Sequence, residues 1–246
     1  VHLVGRSFKY HRPRGIMTSG SEEPNAIVQV NPGTNRTEPN VRATEVEIYE
    51  GLEASSQNCW PSVEFDIGGI NNFLSPFFPA GFYYKTFMWP ASFWEKYEFF
   101  IRHSAGLGKS PTSSDPDIYD HRNIHCDVLV VGAGISGILA AKNAAKNNFK
   151  TLLVDEKNEL GGSTVYENNE FNKIDNKAPS EWLKKEIEEL KNIKNLEIKT
   201  RTSVAAYHQY NYLLARENLT DHLEAKDKTN KIRQRLLKIR AKKVIL

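Results

Sequence analysis

The clearest hydrophobic pattern in the chain lies between residues 127 and 155. After Asp127 an uninterrupted apolar run reaches Val131, as expected of a parallel strand that is buried on both faces. A glycine-rich turn, an alanine-rich helix-forming stretch at 138–146 and a second apolar run at 151–154 follow in that order. This order predicts a βαβ unit whose two strands run parallel to each other.

The residues after this unit predict one more helix and then a β-meander. Residues 179–193 place a proline near the first turn and repeat apolar residues at helical spacing. Short strands are predicted at 196–200, 203–207, 212–216, 236–240 and 243–246. The basic tract at 226–243 is interpreted as a solvated hairpin and its turn.

The first hundred residues are rich in aromatic residues and have a weaker pattern, with strand-like runs at 26–30 and 44–49. Aromatic rings crowd between residues 73 and 100, namely Phe77, Phe78, Phe82, Tyr83, Tyr84, Phe87, Trp89, Phe93, Trp94 and Tyr97. Their density suits a docking surface for another domain or subunit, because large rings supply much of the energy at such contacts. An ordinary core explains the density equally well, since no period distinguishes the two.

The shifts in pattern predict three regions along the chain. An aromatic-rich region covers 1–101, a linker with glycine, Ser-Pro and Asp-Pro turn signals covers 102–125, and an α/β domain covers 126–246. We expect the α/β domain to be truncated at its C-terminal end, because a domain rarely stops inside an apolar strand such as the one predicted at 243–246. The fold class is therefore α/β, with a parallel dinucleotide-binding sheet preceded by a smaller α+β domain.

The turn of the βαβ unit has the spacing of a dinucleotide-binding fingerprint. Its residues are Gly132, Ala133, Gly134, Ile135, Ser136 and Gly137. In this pattern Gly132 permits the tight turn, Gly134 lets the backbone approach a pyrophosphate, and Gly137 allows close packing of strand and helix. The helix that follows offers free N–H groups and a positive dipole end to the phosphates.

Asp155 closes the second strand of the unit, where a carboxylate accepts hydrogen bonds from the adenosine ribose. A negative charge there also repels a 2′-phosphate, so Asp155 favours NAD or FAD over NADP. The neighbouring Glu156 is a weaker candidate for the same role. Gly161 and Gly162 form a second glycine pair, which we expect to bring backbone close to the cofactor again.

Composition excludes several other classes of function. The chain has 33 basic and 30 acidic residues, a net charge of +3 that is too small to indicate nucleic acid as a partner. The basic run at 6–14 is short, and we expect it to pair with a partner's carboxylates or a cofactor phosphate. The seven histidines and two cysteines form no metal-ligand pattern, so we predict no metal site. Few cysteines and no long apolar run predict a cytoplasmic protein that does not cross a membrane.

Longer strings of the sequence resemble the α subunits of heterotetrameric sarcosine oxidases. The matching stretches include GRSFKYHRPRGI at 5–16, AGFYYKTFM at 80–88 and HCDVLVVGAGISG at 125–137. The resemblance implies NAD at the motif formed here by Gly132, Gly134, Gly137 and Asp155. It also implies that this motif belongs to a Rossmann-like domain of the two-dinucleotide-fold flavoprotein type, and that a small ferredoxin-like domain without cluster cysteines precedes it. No catalytic residue can be named from it.

For the whole complex, the resemblance implies oxidative demethylation of sarcosine to glycine. FAD and FMN would lie elsewhere in a complex with β, γ and δ subunits, tetrahydrofolate would accept the one-carbon unit, and oxygen would be reduced to hydrogen peroxide. The fragment alone is expected to be inactive on sarcosine. Two alternatives stay open: a subunit of a related secondary-amine, opine or proline dehydrogenase, and a non-catalytic module that contains NAD and anchors partner subunits.

Overall fold

A computed structural model of the 246-residue chain describes most of its carboxy-terminal half and parts of its amino-terminal half. The described residues are 27–31, 37–43, 46–57, 59–62, 64–70, 73, 77, 87–104, 107–108, 111, 114–167, 172–224 and 231–246. The chain divides into two compact units, Val1–Pro116 with His222–Thr229, and Asp117–Asp221 with Asn230–Leu246. The basic run at 6–14 lies outside the described residues.

The first unit contains a small antiparallel sheet and one helix. Its strands are β1 (Ile27–Asn31), β2 (Glu38–Arg42) and β3 (Glu53–Ser56), in the order β2-β1-β3, and its helix is α1 (Trp94–Ser104). The strand expected at 26–30 is found as β1. The strand expected at 44–49 is not found at 46–49, because the chain there leads into a turn in which Leu52 donates its N–H to the Tyr49 carbonyl.

Several aromatic residues of the first unit are exposed. Phe73, Phe77 and Trp89 expose 81%, 77% and 83% of their surface, so these three rings do not form an ordinary core. Tyr97 is partly buried and contacts Phe87, with ring centroids 5.3 Å apart. The aromatic residues at 78 and 82–84 lie outside the described part of the chain.

The second unit is built on one six-stranded sheet. Its elements in chain order are β4 (Ile118–Val131), α2 (Ile135–Lys146), β5 (Thr151–Val154), α3 (Pro179–Lys191), β6 (Leu196–Lys199), β7 (Thr202–His208), β8 (Tyr212–Asn218) and β9 (Ile232–Ile245). The strand order is β6-β5-β4-β9-β8-β7. Strands β6, β5, β4 and β9 run parallel to one another, and β8 and β7 extend the sheet through antiparallel pairs. This mixed α/β sheet confirms the Rossmann-like fold that the pattern predicted.

Strand β4 forms the centre of the core because its apolar side chains alternate between two faces. Val128 and Val130 pack with α2 and α3, where Trp182 is buried. Leu129 faces the opposite cluster, which includes Leu237 of β9. An apolar run buried on both faces is what the sequence pattern of a central parallel strand predicts.

Two strands are longer than the sequence pattern predicts. Strand β4 begins at Ile118, within the range 102–125 that is predicted to be a linker, because β9 pairs with it along that whole length. The expected strands at 236–240 and 243–246 are one strand, β9. The interpretation of the tract 226–243 as a solvated hairpin is wrong within β9, where Leu237 and Ile239 are fully buried and alternate with basic residues.

A buried ion pair joins the two helices on one face of the sheet. The Nζ of Lys142 on α2 lies 2.5 Å from Glu186 Oε2 and 2.8 Å from Glu189 Oε2 on α3. Burial disfavours the charge on Lys142, but its hydrogen bonds to both carboxylates outweigh this effect and raise its pKa. The hydrogen bond from Lys142 lowers the pKa of Glu189 to about 2.

We predict that Lys142→Met lowers the free energy of unfolding at pH 7 by about 1–3 kcal/mol, because Glu186 loses a charged hydrogen bond while buried. The pKa of Glu189 is lowered on folding, so its pairing with Lys142 stabilises the protein above the ordinary pKa of 4.5. This stabilisation is lost as the pH falls towards 2. The difference in free energy of unfolding between Lys142→Met and the wild type should therefore shrink below pH 4.5. Denaturant titrations from pH 2 to pH 7 measure it.

The matched control is Lys146→Met, which removes a more exposed lysine whose Nζ lies 3.5 Å from Glu189. Exposed pairs contribute less than about 1 kcal/mol, so this variant should change stability little at any pH. An equal loss of stability in the two variants would contradict a stabilising role for the buried ion pair between α2 and α3.

Candidate functional site: the glycine turn at the end of β4

The candidate site begins where β4 ends and the chain turns into α2. Gly132 has φ of +96°, a left-handed conformation that a glycine adopts without strain. Its N–H donates to the Val154 carbonyl at 2.8 Å, which ties the turn to the end of the neighbouring strand β5. Ala133 is fully buried beneath the turn. The backbone therefore reverses at the carboxyl end of two parallel strands, the place where such sheets bind ligands.

The amino terminus of α2 is open above Gly134. Gly134 is the residue before the helix, and a Cβ added to it would meet no atom within 4 Å. The first-turn N–H groups of a helix have no acceptor within the helix, so they are available to an anion. Open space and free donors together form a cradle that suits a phosphate group.

Gly137 has a different role from Gly134. A Cβ at position 137 would lie 1.8 Å from the Gly132 carbonyl oxygen, so only glycine fits. This contact is the close approach of helix and strand that the fingerprint predicts at its third glycine. Ile135 and Ser136 lie between the two glycines in the first turn of α2.

The carboxylate of Asp155 ties the turn to the end of β5. Its Oδ2 accepts the N–H of Ala133 at 2.5 Å, and its Oδ1 accepts the N–H of Lys157 at 2.8 Å. Asp155 is buried, whereas the Glu156 side chain is 44% exposed and lies 3.7 Å from the Nζ of Lys157. Each carboxylate oxygen retains a further lone pair that can accept a ribose hydroxyl.

The second glycine pair packs directly against the first turn. Gly161 donates its N–H to the Ala133 carbonyl at 2.7 Å, and a Cβ on Gly162 would lie 3.3 Å from the Gly134 Cα. Both glycines have positive φ, +122° and +55°. The structure therefore brings together the turn, Asp155 and the second glycine pair, which the sequence analysis proposed as one site.

Sequence reasoning missed one segment next to this site. The turn between β6 and β7 contains Arg201, whose φ is +51° and whose N–H donates to the Lys157 carbonyl at 2.8 Å. No glycine or asparagine marks this position, so nothing in the local sequence signalled a left-handed turn. Only the parallel pairing of β5 with β6 places it beside Asp155.

Two family models each match one part of the chain. The family model "FAD dependent oxidoreductase" matches residues 127–237, and the model "2Fe-2S iron-sulfur cluster binding domain" matches residues 1–59. The sarcosine oxidase subunit alpha of Rhizobium meliloti (strain 1021) is 50% identical over 90% of this chain and 22% of its own length. The corresponding subunit of Corynebacterium sp. (strain U-96) is 31% identical over 100% of this chain and 21% of its own length.

The chain is a homologue of sarcosine oxidase α subunits. It spans about a fifth of the length of these relatives. Among solved structures, an L-proline dehydrogenase from P. horikoshii covers 55% of this chain and 24% of its own chain at 20% identity, with a TM-score of 0.40. A likeness of that size supports no functional argument. In the described part of this α-subunit homologue, none of the helices has the length and apolar character that crossing a membrane requires.

The cluster named by the family model does not fit the residues of this homologue. A 2Fe–2S cluster needs four cysteine thiolates, or two thiolates and two imidazoles. Residues 1–59 contain one cysteine, Cys59, whose Sγ donates to the Ser56 Oγ at 2.9 Å. The other cysteine, Cys126, is buried in β4, and burial raises its pKa to about 11. The matched region thus lacks the ligands for a cluster, and a ferredoxin-like fold for it stays a prediction.

We predict that a methyl group added at Gly134 mainly weakens nucleotide binding, whereas one added at Gly137 mainly lowers the stability of the fold. Gly134→Ala should cost less than about 1 kcal/mol of stability, because the methyl enters open space, yet it should weaken ADP binding at least about tenfold by blocking the phosphate. Gly137→Ala should destabilise the fold by about 3 kcal/mol through its clash with the Gly132 carbonyl. Thermal melts and calorimetric ADP titrations separate the two effects. Normal ADP affinity in a folded Gly134→Ala protein would contradict the phosphate cradle.

Proposed function

We propose that this chain is part of the α subunit of a sarcosine oxidase-like enzyme and that its glycine turn binds NAD. The observation that carries the proposal is the open amino terminus of α2 above Gly134, with the buried carboxylate of Asp155 beside it. The first can accept a pyrophosphate and the second a ribose, so the pair fits the adenosine-diphosphate half of a dinucleotide.

The choice of NAD rests on the resemblance to sarcosine oxidase α subunits. The adenosine-diphosphate half is common to NAD and FAD, and the family model that matches residues 127–237 describes FAD-dependent oxidoreductases. The negative charge of Asp155 disfavours a 2′-phosphate and so argues against NADP. When bound, a nicotinamide dinucleotide can accept or donate a hydride. This chain's own contribution is to hold the pyrophosphate at the turn and the ribose at Asp155.

At the level of the whole enzyme, we propose oxidative demethylation of sarcosine to glycine. Tetrahydrofolate would accept the one-carbon unit, oxygen would be reduced to hydrogen peroxide, and FAD and FMN would bind in a cytoplasmic complex with β, γ and δ subunits. The relatives' name, sarcosine oxidase subunit alpha, supports an oxidoreductase acting on CH–NH donors and a multi-subunit assembly. This segment alone should not oxidise sarcosine.

A second candidate function is a module that keeps NAD as a structural group and anchors partner subunits. The exposed rings of Phe73, Phe77 and Trp89 favour it, because large aromatic side chains supply much of the energy at contacts between subunits. In this case the NAD of the intact complex would not be reduced when sarcosine is added. Absorbance at the reduced-nicotinamide band during turnover tests whether the NAD is such a structural group, which is also compatible with its place in an oxidase.

We predict that Asp155→Ala weakens NAD binding to the full-length protein by at least about tenfold, because a charged hydrogen bond to ribose and the bond that orders the turn are both lost. The matched control is Asp127→Ala on β4. Asp127 also accepts a backbone N–H, that of Lys150 at 2.8 Å, but it lies towards the start of the apolar part of β4, away from the glycine turn. Calorimetric titration of both variants measures the effect, and equal NAD affinity in the two would refute the assigned site.

A further inference from the structure

Arg201 occupies a strained backbone position next to the end of β5. Its φ of +51° lies in the left-handed region, which residues other than glycine adopt rarely. Arg201 belongs to the turn that joins β6 to β7, at the carboxyl end of the strand next to β5. Strain of this kind persists only where the surrounding structure enforces it, and it concentrates at ligand sites.

Three backbone hydrogen bonds fix this turn against the segment that carries Asp155. Asp155 donates its N–H to the Lys199 carbonyl at 3.0 Å, which continues the pairing of β5 with β6. Arg201 then donates to the Lys157 carbonyl at 2.8 Å, and Thr202 donates to the Asp155 carbonyl at 2.7 Å. The backbone of Arg201 is therefore held beside residues 155–157 and cannot shift independently of them.

We propose that Arg201 recognises the adenosine end of the bound dinucleotide by stacking its guanidinium on the adenine ring. This inference rests on the function proposed above and adds a specificity residue to the same site. A dinucleotide lies outside the carboxyl ends of the strands, with its ribose at the acid that ends β5. The base that continues from this ribose then reaches the end of a neighbouring strand, and Arg201 lies at the end of β6, on the side away from the glycine turn.

The chemistry of the two groups supports stacking rather than a second phosphate contact. A guanidinium is planar, always charged and weakly hydrated, so it stacks well on aromatic faces. Asp155 disfavours a 2′-phosphate at the same ribose, which leaves the face of the adenine as the group for a nearby cation to contact. Arg201 is half-buried, so part of its surface is accessible to a ligand.

The test is ADP binding to the full-length protein, in its complex and after removal of bound nucleotide, for wild type and three variants. Arg201→Asn keeps a residue that tolerates a left-handed backbone, so the turn should fold while the planar cation is lost. We expect its ADP affinity to fall by about three- to thirtyfold in a protein whose far-ultraviolet circular dichroism matches that of the wild type. Arg201→Lys keeps the charge but not the plane, and we expect an intermediate loss.

The control variant is Asn148→Gly, which changes another left-handed residue, with φ of +65°, in the turn after α2. It should bind ADP as wild type does. Wild-type affinity in Arg201→Asn, measured beside a Gly134→Val variant that no longer binds ADP, would overturn the role of Arg201 and leave the proposed function standing. Wild-type affinity in Gly134→Val as well would refute the dinucleotide site itself.

Discussion

The hydrogen bond from the Ala133 N–H to the Asp155 carboxylate is the contact on which the candidate site depends. It joins the glycine turn after β4 to the end of β5, and the second oxygen of the same carboxylate holds Lys157 in place. The Ala133 carbonyl in turn accepts the N–H of Gly161. Two buried residues, Ala133 after β4 and Asp155 after β5, therefore fix the glycine turn against the segment that follows β5. The cradle above Gly134 is thus organised before any ligand binds, which lowers the entropic cost of binding.

The sheet explains why these loops meet. The apolar, carboxy-terminal part of strand β4 is buried on both faces. Strand β4 pairs with β5 on one side and β9 on the other, all parallel, so their carboxyl ends lie at one edge of the sheet. Helices α2 and α3 cover one face through Trp182 and the Lys142 ion pair. In a parallel sheet, the segments that follow the strands all begin at this edge. Residues far apart in sequence, such as Gly134 and Arg201, therefore lie at the same edge of the sheet.

The βαβ unit could be predicted from sequence because its signals are local: an apolar run, glycines at fixed spacing and an acid after the second strand. The extent of β4 and β9 could not, since Ile118 gains a strand conformation from pairing with Ile232, more than a hundred residues away. The sequence pattern predicted strands at 236–240 and 243–246 but not that they form one strand beginning at Ile232, because basic residues alternate with the buried Leu237 and Ile239. The position of Arg201 depends on sheet register and carries no local signal.

Whether the glycine turn holds NAD is tested by identifying the nucleotide bound to the α subunit of the intact, purified enzyme. The subunit would be separated, its tightly bound nucleotide released by acid and quantified by chromatography and mass spectrometry, for wild type and for Gly134→Val. We expect NAD in an amount close to one per α subunit in the wild type and its loss in the variant. An α subunit that carries no dinucleotide, or equal amounts in both proteins, would contradict this expectation.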